Sequence, residues 1–294
     1  MNMTALLEVT VGGVAVGCVY SLLALGYSMI IRASGIIHFA QGEVMMLGSM
    51  CGLSALWVAP SLHPALVLLV GMLAGGALAG AMELLVYRTL RRRGVPLVSI
   101  ITATVGFSIF LMNAARLGWG SEPLRYPDMF RGAVEVSGIR ISPQLLWVAA
   151  SGFVIMVALQ IFLSKTRPGL AMQAVAQDPD AAQLMGVNLS RSMAATFAVA
   201  GAMAGAAGVM LGSLFFSFFE MGFITGLKAF VAATLGGLGS IGGAMLGGIL
   251  FGLIETFGAV FISSAYKDAI GMMLLIAILL VLPQGLAGLW RRLR

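Results

Sequence analysis

The sequence predicts an all-α, polytopic membrane protein of about eight to nine transmembrane helices. Three observations predict it. Of 294 residues, 60% are hydrophobic and 10% charged, against about 25% charged in a soluble protein. So few charges cannot coat a water-facing surface, which excludes a soluble enzyme, a disordered tail and a secreted disulfide scaffold. The apolar runs are continuous, whereas the strands of a membrane β-barrel alternate. Glycine contributes 39 residues, nearly twice the ordinary share of about 7%, and between transmembrane helices glycine lets backbones approach closely.

A spanning helix needs roughly 20 apolar residues. Spans are expected near 5–31, 36–59, 64–86, 96–114, 144–163, 193–214, 222–238, 242–262 and 268–286. The 222–238 stretch is the weakest, being short, glycine-rich and interrupted by Lys228. As a re-entrant segment it would lower the count to eight. The first basic residue is Arg32, after an apolar run too long for a leader, so the first span is expected to stay in the membrane. No two segments repeat, and one membrane domain covering 1–294 is the simplest organisation.

Basic residues orient the spans. Arg88, Arg91, Arg92 and Arg93 crowd one short loop, which places that loop in the cytoplasm. Nine spans then put the N-terminus outside and the C-terminal WRRLR (290–294) inside. Eleven Lys and Arg fall on the cytoplasmic side and five outside. The net charge of +6 thereby records topology and points to no nucleic acid. Cys18 and Cys51 lie in apolar stretches and read as small buried residues.

Two loops are long. The outer one, 115–143, contains Pro123, Pro127 and Pro143. Within it Val134-Glu135-Val136 and Ile139-Arg140-Ile141 alternate on either side of Ser137-Gly138, the pattern of a small hairpin on the periplasmic side. It would serve as a docking surface or a lid. The inner loop, 164–192, contains Asp178-Pro179. Asp there caps free N–H groups, Pro suits the first helical position, and Asp180 adds negative charge at the positive helix end. Ala181, Ala182, Gln183, Leu184 and Met185 continue the helix, and Gly186 suits the position after its end. A helix of about two turns is not stable alone in water. It needs a partner surface, either its own membrane domain or another protein.

Gly237-Leu238-Gly239-Ser240-Ile241-Gly242 matches G-x-G-x-x-G. No strand precedes it and no acidic residue follows about 20 positions on, so it is not a dinucleotide fingerprint. It reads as a break or turn within the membrane followed by close helix packing, with a glycine-lined conduit as the other reading. Glycines four apart, as at Gly71/Gly75, Gly201/Gly205, Gly243/Gly247 and Gly248/Gly252, place small residues on one helix face. Embedded polar residues are costly and so usually functional. His38, Gln41 and Glu43 cluster in HFAQGE, where Gly35 and Gly42 permit irregular backbone. Hydrogen bonding between helices and the lining of a path or gate are both open for them. Lys228, Glu83 and Glu255 are the other embedded charges, and Glu83 is expected to snorkel or to pair with Arg88. No nucleophile–base set, HExxH, cysteine metal pair or Walker A pattern is present. No enzymatic activity, metal or bound cofactor is expected of this chain.

The segment Asp180-Ala181-Ala182-Gln183-Leu184-Met185-Gly186 resembles the E-A-A-x-x-x-G coupling motif of ABC-importer permeases, with Asp for Glu. GIIHFAQGEVMMLG (35–48), AVAQDPDAAQLMGVNLSRSMAATF (174–197) and GLKAFVAATLGGLGSIGGAMLGG (226–248) resemble, in order, the LivH-type permeases of branched-chain amino acid ABC transporters. The resemblance covers about residues 10 to 290. It implies an inner-membrane permease subunit that imports by alternating access. Its partners would be a second, LivM-like permease, two cytoplasmic ATPases that bind the ATP and Mg, and a periplasmic substrate-binding protein. Asp178, Pro179, Asp180, Ala181, Ala182, Leu184, Met185 and Gly186 would form the coupling helix seated on an ATPase. Candidates for the pathway or gate are His38, Gln41, Gly42, Glu43 and Met46, with Lys228, Gly237 and Gly239. His38 and Gln41 stand where the family often has Asn and His, which keeps urea, short amides and aromatic acids open as substrates beside branched-chain amino acids. A different class, an ion-coupled carrier or channel, would rely on Glu43, Glu83 and Glu255.

Overall fold

The computed structural model describes residues 3–127, 129–130, 132, 134–136, 139–281, 285–286 and 288. The chain opens with α1 (Met3–Ser34) and α2 (Gln41–Val58). Helix α3 (Pro64–Met82) runs through a π-helical turn (Glu83–Tyr87) into α4 (Arg88–Arg92), and α5 (Leu97–Trp119) follows. Strands β1 (Val134–Val136) and β2 (Ile139–Ile141) precede α6 (Pro143–Lys165), α7 (Arg167–Gln177) and α8 (Pro179–Leu184). Helices α9 (Leu189–Leu214), α10 (Met221–Gly236) and α11 (Ile241–Phe261), a 3-10 turn (Ser264–Tyr266) and α12 (Lys267–Val281) complete the described elements. Proline occupies the first turn of α3, α6, α7 and α8, where its missing N–H would have had no helical partner.

Among the described residues six helical runs are long and apolar enough to cross a membrane: Leu6–Ser34, Pro64–Arg92, Leu97–Trp119, Pro143–Lys165, Leu189–Leu214 and Ile241–Phe261. The other three expected spans are helical but fall short on those grounds. Helix α2 begins with Gln41 and Glu43, and α10 and α12 have 16 and 15 residues. Length and composition therefore carry six spans, not eight to nine.

Helices α1 and α9 form the centre, with 83% and 72% of their apolar windows buried, whereas α5 and α6 are outermost at 22% and 28%. Helix α1 packs on α11, α9, α6 and α10, and α2 and α3 pack on the other side of α9. Lipid tails are as apolar as leucine, so what holds such helices together is dispersion and interhelical hydrogen bonding. The small residues serve that packing. A methyl group added at Gly75 would run into the Gly201 carbonyl, and one at Gly205 into the Gly71 carbonyl. Between α1 and α11, a Cβ on Gly17 would lie 2.8 Å from Ile249 Cα, and Ser21 donates to the Met245 carbonyl at 2.7 Å.

One end of the bundle carries a cluster of arginines. Arg32 at the end of α1 and Arg88, Arg91 and Arg92 on α4 line one cleft with Pro179 and Gln183 of α8. At the opposite end Trp119, closing α5, donates to Ser54 of α2 at 2.8 Å. There the long loop is strapped to the protein. Leu124 and Ser217 exchange two backbone hydrogen bonds of 2.8 Å, and the Tyr126 hydroxyl donates to the Ser49 carbonyl at 2.6 Å. Strands β1 and β2 pair antiparallel with Val134 opposite Ile141. The expected turn at Ser137-Gly138 lies outside the described residues, as does the 290–294 segment. Glu83 is paired with Arg91 rather than with Arg88.

Candidate functional site

The polar cluster lies where the chain abandons helix inside the bundle. Helix α1 stops at Ser34, Gly35 takes a φ of +69°, and α2 starts only at Gln41. Non-helical backbone at membrane depth is tolerated where protein buries it. Here Thr104 of α5 accepts from the Phe39 amide at 3.2 Å, and His38, Ala40, Gln41 and Glu43 are at most 1% exposed.

Partners fix the depth. Gln41 Nε2 donates to the carbonyl of Ala200, near the middle of α9, at 2.9 Å. Ser108, at the middle of α5, donates to Glu43 Oε1 at 3.2 Å. Helix α2 thus starts half-way through the bundle. Helix α10 starts beside it: a Cβ on Gly42 would collide with the Gly222 carbonyl and sit 3.1 Å from Gly226 Cα. Two helix N-termini, each with partial positive charge, meet around the Glu43 carboxylate. Met46, one turn further along α2, is fully buried.

Several polar atoms here have no hydrogen-bond partner among the described residues: Glu43 Oε2, Gln41 Oε1 and both ring nitrogens of His38. The His38 ring rests instead against Tyr87 and Phe197, at centroid distances of 5.4 and 5.6 Å. Buried polar groups are nearly always partnered, and four of the unpartnered atoms fall on three residues of this one segment.

Lys228 is committed elsewhere. Its Nζ lies 2.5 Å from Glu255 Oε1 on α11 and 2.6 Å from Asp268 Oδ1 on α12. The Tyr20 hydroxyl of α1 donates to Glu255 Oε2 at 2.6 Å. This network clamps four helices together. Gly237 and Gly239, with φ of +99° and +81°, form the turn between α10 and α11. Ser240 caps α11 by accepting from Gly243 N at 3.2 Å, and Gly239 lies beside the Arg32 stem at the arginine-bearing end. The structure therefore gathers His38, Gln41, Gly42, Glu43 and Met46, and leaves Lys228, Gly237 and Gly239 apart from them. Thr104 and Ser108 join the cluster. In the sequence they are two of four hydroxyls in an apolar run, with Ser99 and Thr102, a signal too common among transmembrane helices to single them out.

At the arginine-bearing end, Asp178 Oδ1 accepts from the amides of Asp180 and Ala181, both at 3.0 Å, and Pro179 opens α8. Gly186, at φ +86°, donates to the Gln183 carbonyl, and Val187 donates to that of Ala182, both at 3.0 Å. A side chain at this φ would be strained, which is why the turn takes glycine. Ala182 packs with Ala33, Val175 and Met193, so the helix rests on α1, α7 and α9. Leu184 and Met185 point away, 89% and 85% exposed.

A family model described as the permease component of branched-chain amino acid transport systems matches residues 9–279. The chain is 38% identical to the high-affinity branched-chain amino acid transport system permease protein LivH of Escherichia coli K12, over 94% of this chain and 93% of that protein. It is 37% identical to the corresponding permease protein BraD of Pseudomonas aeruginosa, over 96% and 95%. It is also 26% identical to the probable branched-chain amino acid transport permease LivH of Methanocaldococcus jannaschii, over 93% and 90%. No solved structure matches the chain.

Proposed function

Since the chain belongs to the family of permease components of branched-chain amino acid transport systems, we propose that it forms half of the passage of an ATP-driven importer of branched-chain amino acids. The observation that carries this is the 38% identity to LivH along 94% of the chain. The chain would pair with a second, LivM-like permease, receive substrate from a periplasmic binding protein and be driven by two cytoplasmic ATPases. ATP and Mg would belong to those ATPases, and this chain would perform no covalent chemistry.

Nine passes through the inner membrane fit the depths of the elements. Gly239 lies beside Arg32, and Gly285 lies against Thr234 and Gly237. The chain beyond α12 is thus back at the end where α1 finishes, opposite the end where α1 begins. With the arginines held in the cytoplasm, the N-terminus is outside and the C-terminus inside.

In this reading α8 is the coupling helix, and exposed Leu184 and Met185 enter a groove on an ATPase. Its movement reaches the polar cluster through solid contacts. Ala182 packs on Met193 of α9, and Ala200, two turns further along α9, holds Gln41. A shift of α9 relative to α5 would re-set Gln41 against Glu43 and open or close the gate formed by His38, Gln41, Gly42, Glu43 and Met46. A carboxylate beside two positive helix ends offers partners to both charges of an amino acid. An ion-coupled carrier is not favoured: Glu83 and Glu255 are already paired with Arg91 and Lys228.

The test is uptake of radiolabelled leucine into proteoliposomes holding the whole importer and its binding protein. Uptake that requires ATP on the ATPase side is expected. Leucine uptake without ATP, or ATP-driven uptake of an amide or aromatic acid but not of leucine, would refute the reading.

A further inference from the structure

A second site lies at the arginine-bearing end, outside the proposed gate. Between the end of α1, α4 and the α7–α9 segment is an open cleft of about 1060 Å³. Arg32, Arg88, Arg91 and Arg92 line it, and no Asp or Glu is among its lining residues. Glu83, just behind it, is ion-paired with Arg91 and also faces the charge of Arg88, which leaves the four arginines a net excess of three positive charges. Three donors at this cleft are buried without a partner among the described residues: Arg88 Nε, Arg91 Nη1 and Ser190 Oγ. Unpaired donors of this kind are costly, and all three belong to residues that line the cleft. The surroundings add a third observation. Leu84 and Leu85, four and three residues before Arg88, are 46% and 73% exposed, so apolar side chains stand about one turn from an arginine of the cleft.

We propose that this cleft binds the phosphodiester head group of an anionic phospholipid, with its acyl chains lying along Leu84 and Leu85. Guanidinium groups match phosphate oxygens in fork geometry, and basic pockets at the cytoplasmic ends of transmembrane helices are suited to such head groups. Free phosphate shares the head-group chemistry but would leave the leucines unused. The proposal stands on the cleft; the importer reading enters only in naming the cytoplasmic leaflet.

The test uses the purified, delipidated complex and native mass spectrometry. Short-chain phosphatidylglycerol is titrated against phosphatidylcholine of the same chain length, with inorganic phosphate as competitor. Selective retention of phosphatidylglycerol is expected. The Arg88→Gln/Arg92→Gln variant should weaken it roughly twenty-fivefold, taking about fivefold for each arginine near the surface. Arg93→Gln removes a neighbouring charge that does not line the cleft and should weaken retention less than Arg92→Gln does, because it loses no direct contact with the head group. If the double variant fails to fold, Arg92→Gln alone should still show the loss of about fivefold. Equal retention of both lipids, an equal loss in Arg93→Gln, or full displacement by inorganic phosphate would overturn the proposal. So would a double variant that keeps the lipid but loses its ATPases, which would assign the cleft to an acidic protein segment. None of these readouts depends on which solute is transported.

Discussion

Replacing Lys228 by Met should destabilise the helix bundle more than any other single removal of charge. Lys228 and Glu255 are 5% and 7% exposed, so Met leaves the Glu255 carboxylate buried with only the Tyr20 hydroxyl at Oε2. Removing one partner of a buried pair costs about 3–5 kcal/mol. The lower end, about 3 kcal/mol, is expected here, because polar groups of a protein unfolded in detergent find other partners. Glu255→Gln should cost less, about 1–2 kcal/mol, since Lys228 keeps Asp268 and Tyr20 keeps an acceptor. Asp268→Asn should cost at most about 1 kcal/mol, because the Asp268 side chain is 55% exposed. The Lys228→Met/Glu255→Gln double variant should be more stable than the sum of its single costs implies, with a coupling of about 1–2 kcal/mol. Denaturant unfolding in detergent, followed by tryptophan fluorescence, measures all four. A Lys228→Met variant within about 0.5 kcal/mol of the parent, the range of an uninvolved surface site, would refute the clamp.

Gly186→Val should insert and assemble yet lose ATP-driven uptake, because valine cannot take φ +86° without strain; normal uptake would remove α8 from the mechanism. Gly205→Leu should prevent assembly, since its side chain would occupy the space of the Gly71 carbonyl; blue-native electrophoresis showing an intact complex would contradict the packing of α3 on α9. Glu43→Gln should lower transport at least about tenfold, a loss of roughly 1.4 kcal/mol, with little change in unfolding; equal uptake would leave the polar cluster a packing feature. With Cys18 and Cys51 replaced, single cysteines at Arg93 and Glu122 should react with an impermeant reagent from opposite sides of the membrane; labelling from one side would refute the nine-pass topology.

How much of this was legible in the sequence depended on how local the code was. The ends of α8 are written in adjacent residues: Asp178 and Pro179 act on their own turn, and Gly186 on the one after. The long spans follow from composition, because twenty apolar residues leave few alternatives. The depth at which α2 begins was not legible. Residues 36–40 are mostly apolar, and hydropathy does not distinguish a helix from an extended segment buried in protein. What fixes that segment are Thr104, Ser108 and Ala200, between 65 and 159 residues away from their partners. The same holds for Lys228, whose role is set by Glu255 and Asp268 from two other helices. Glu83 lay within reach of several arginines, and the π-helical turn that starts there, which changes the helix phase, accompanies its pairing with Arg91 instead of Arg88.

The central claim is that this permease is driven through α8 by a separate ATPase. It is tested most directly by purifying the chain from detergent-solubilised native membrane and identifying its companions by mass spectrometry, for the parent and for Leu184→Asp. The account predicts that a second permease and ATPase subunits accompany the parent. Leu184→Asp, altered at a side chain 89% exposed, should keep the second permease and lose the ATPases. A chain recovered alone, or ATPases retained undiminished by the variant, would contradict it.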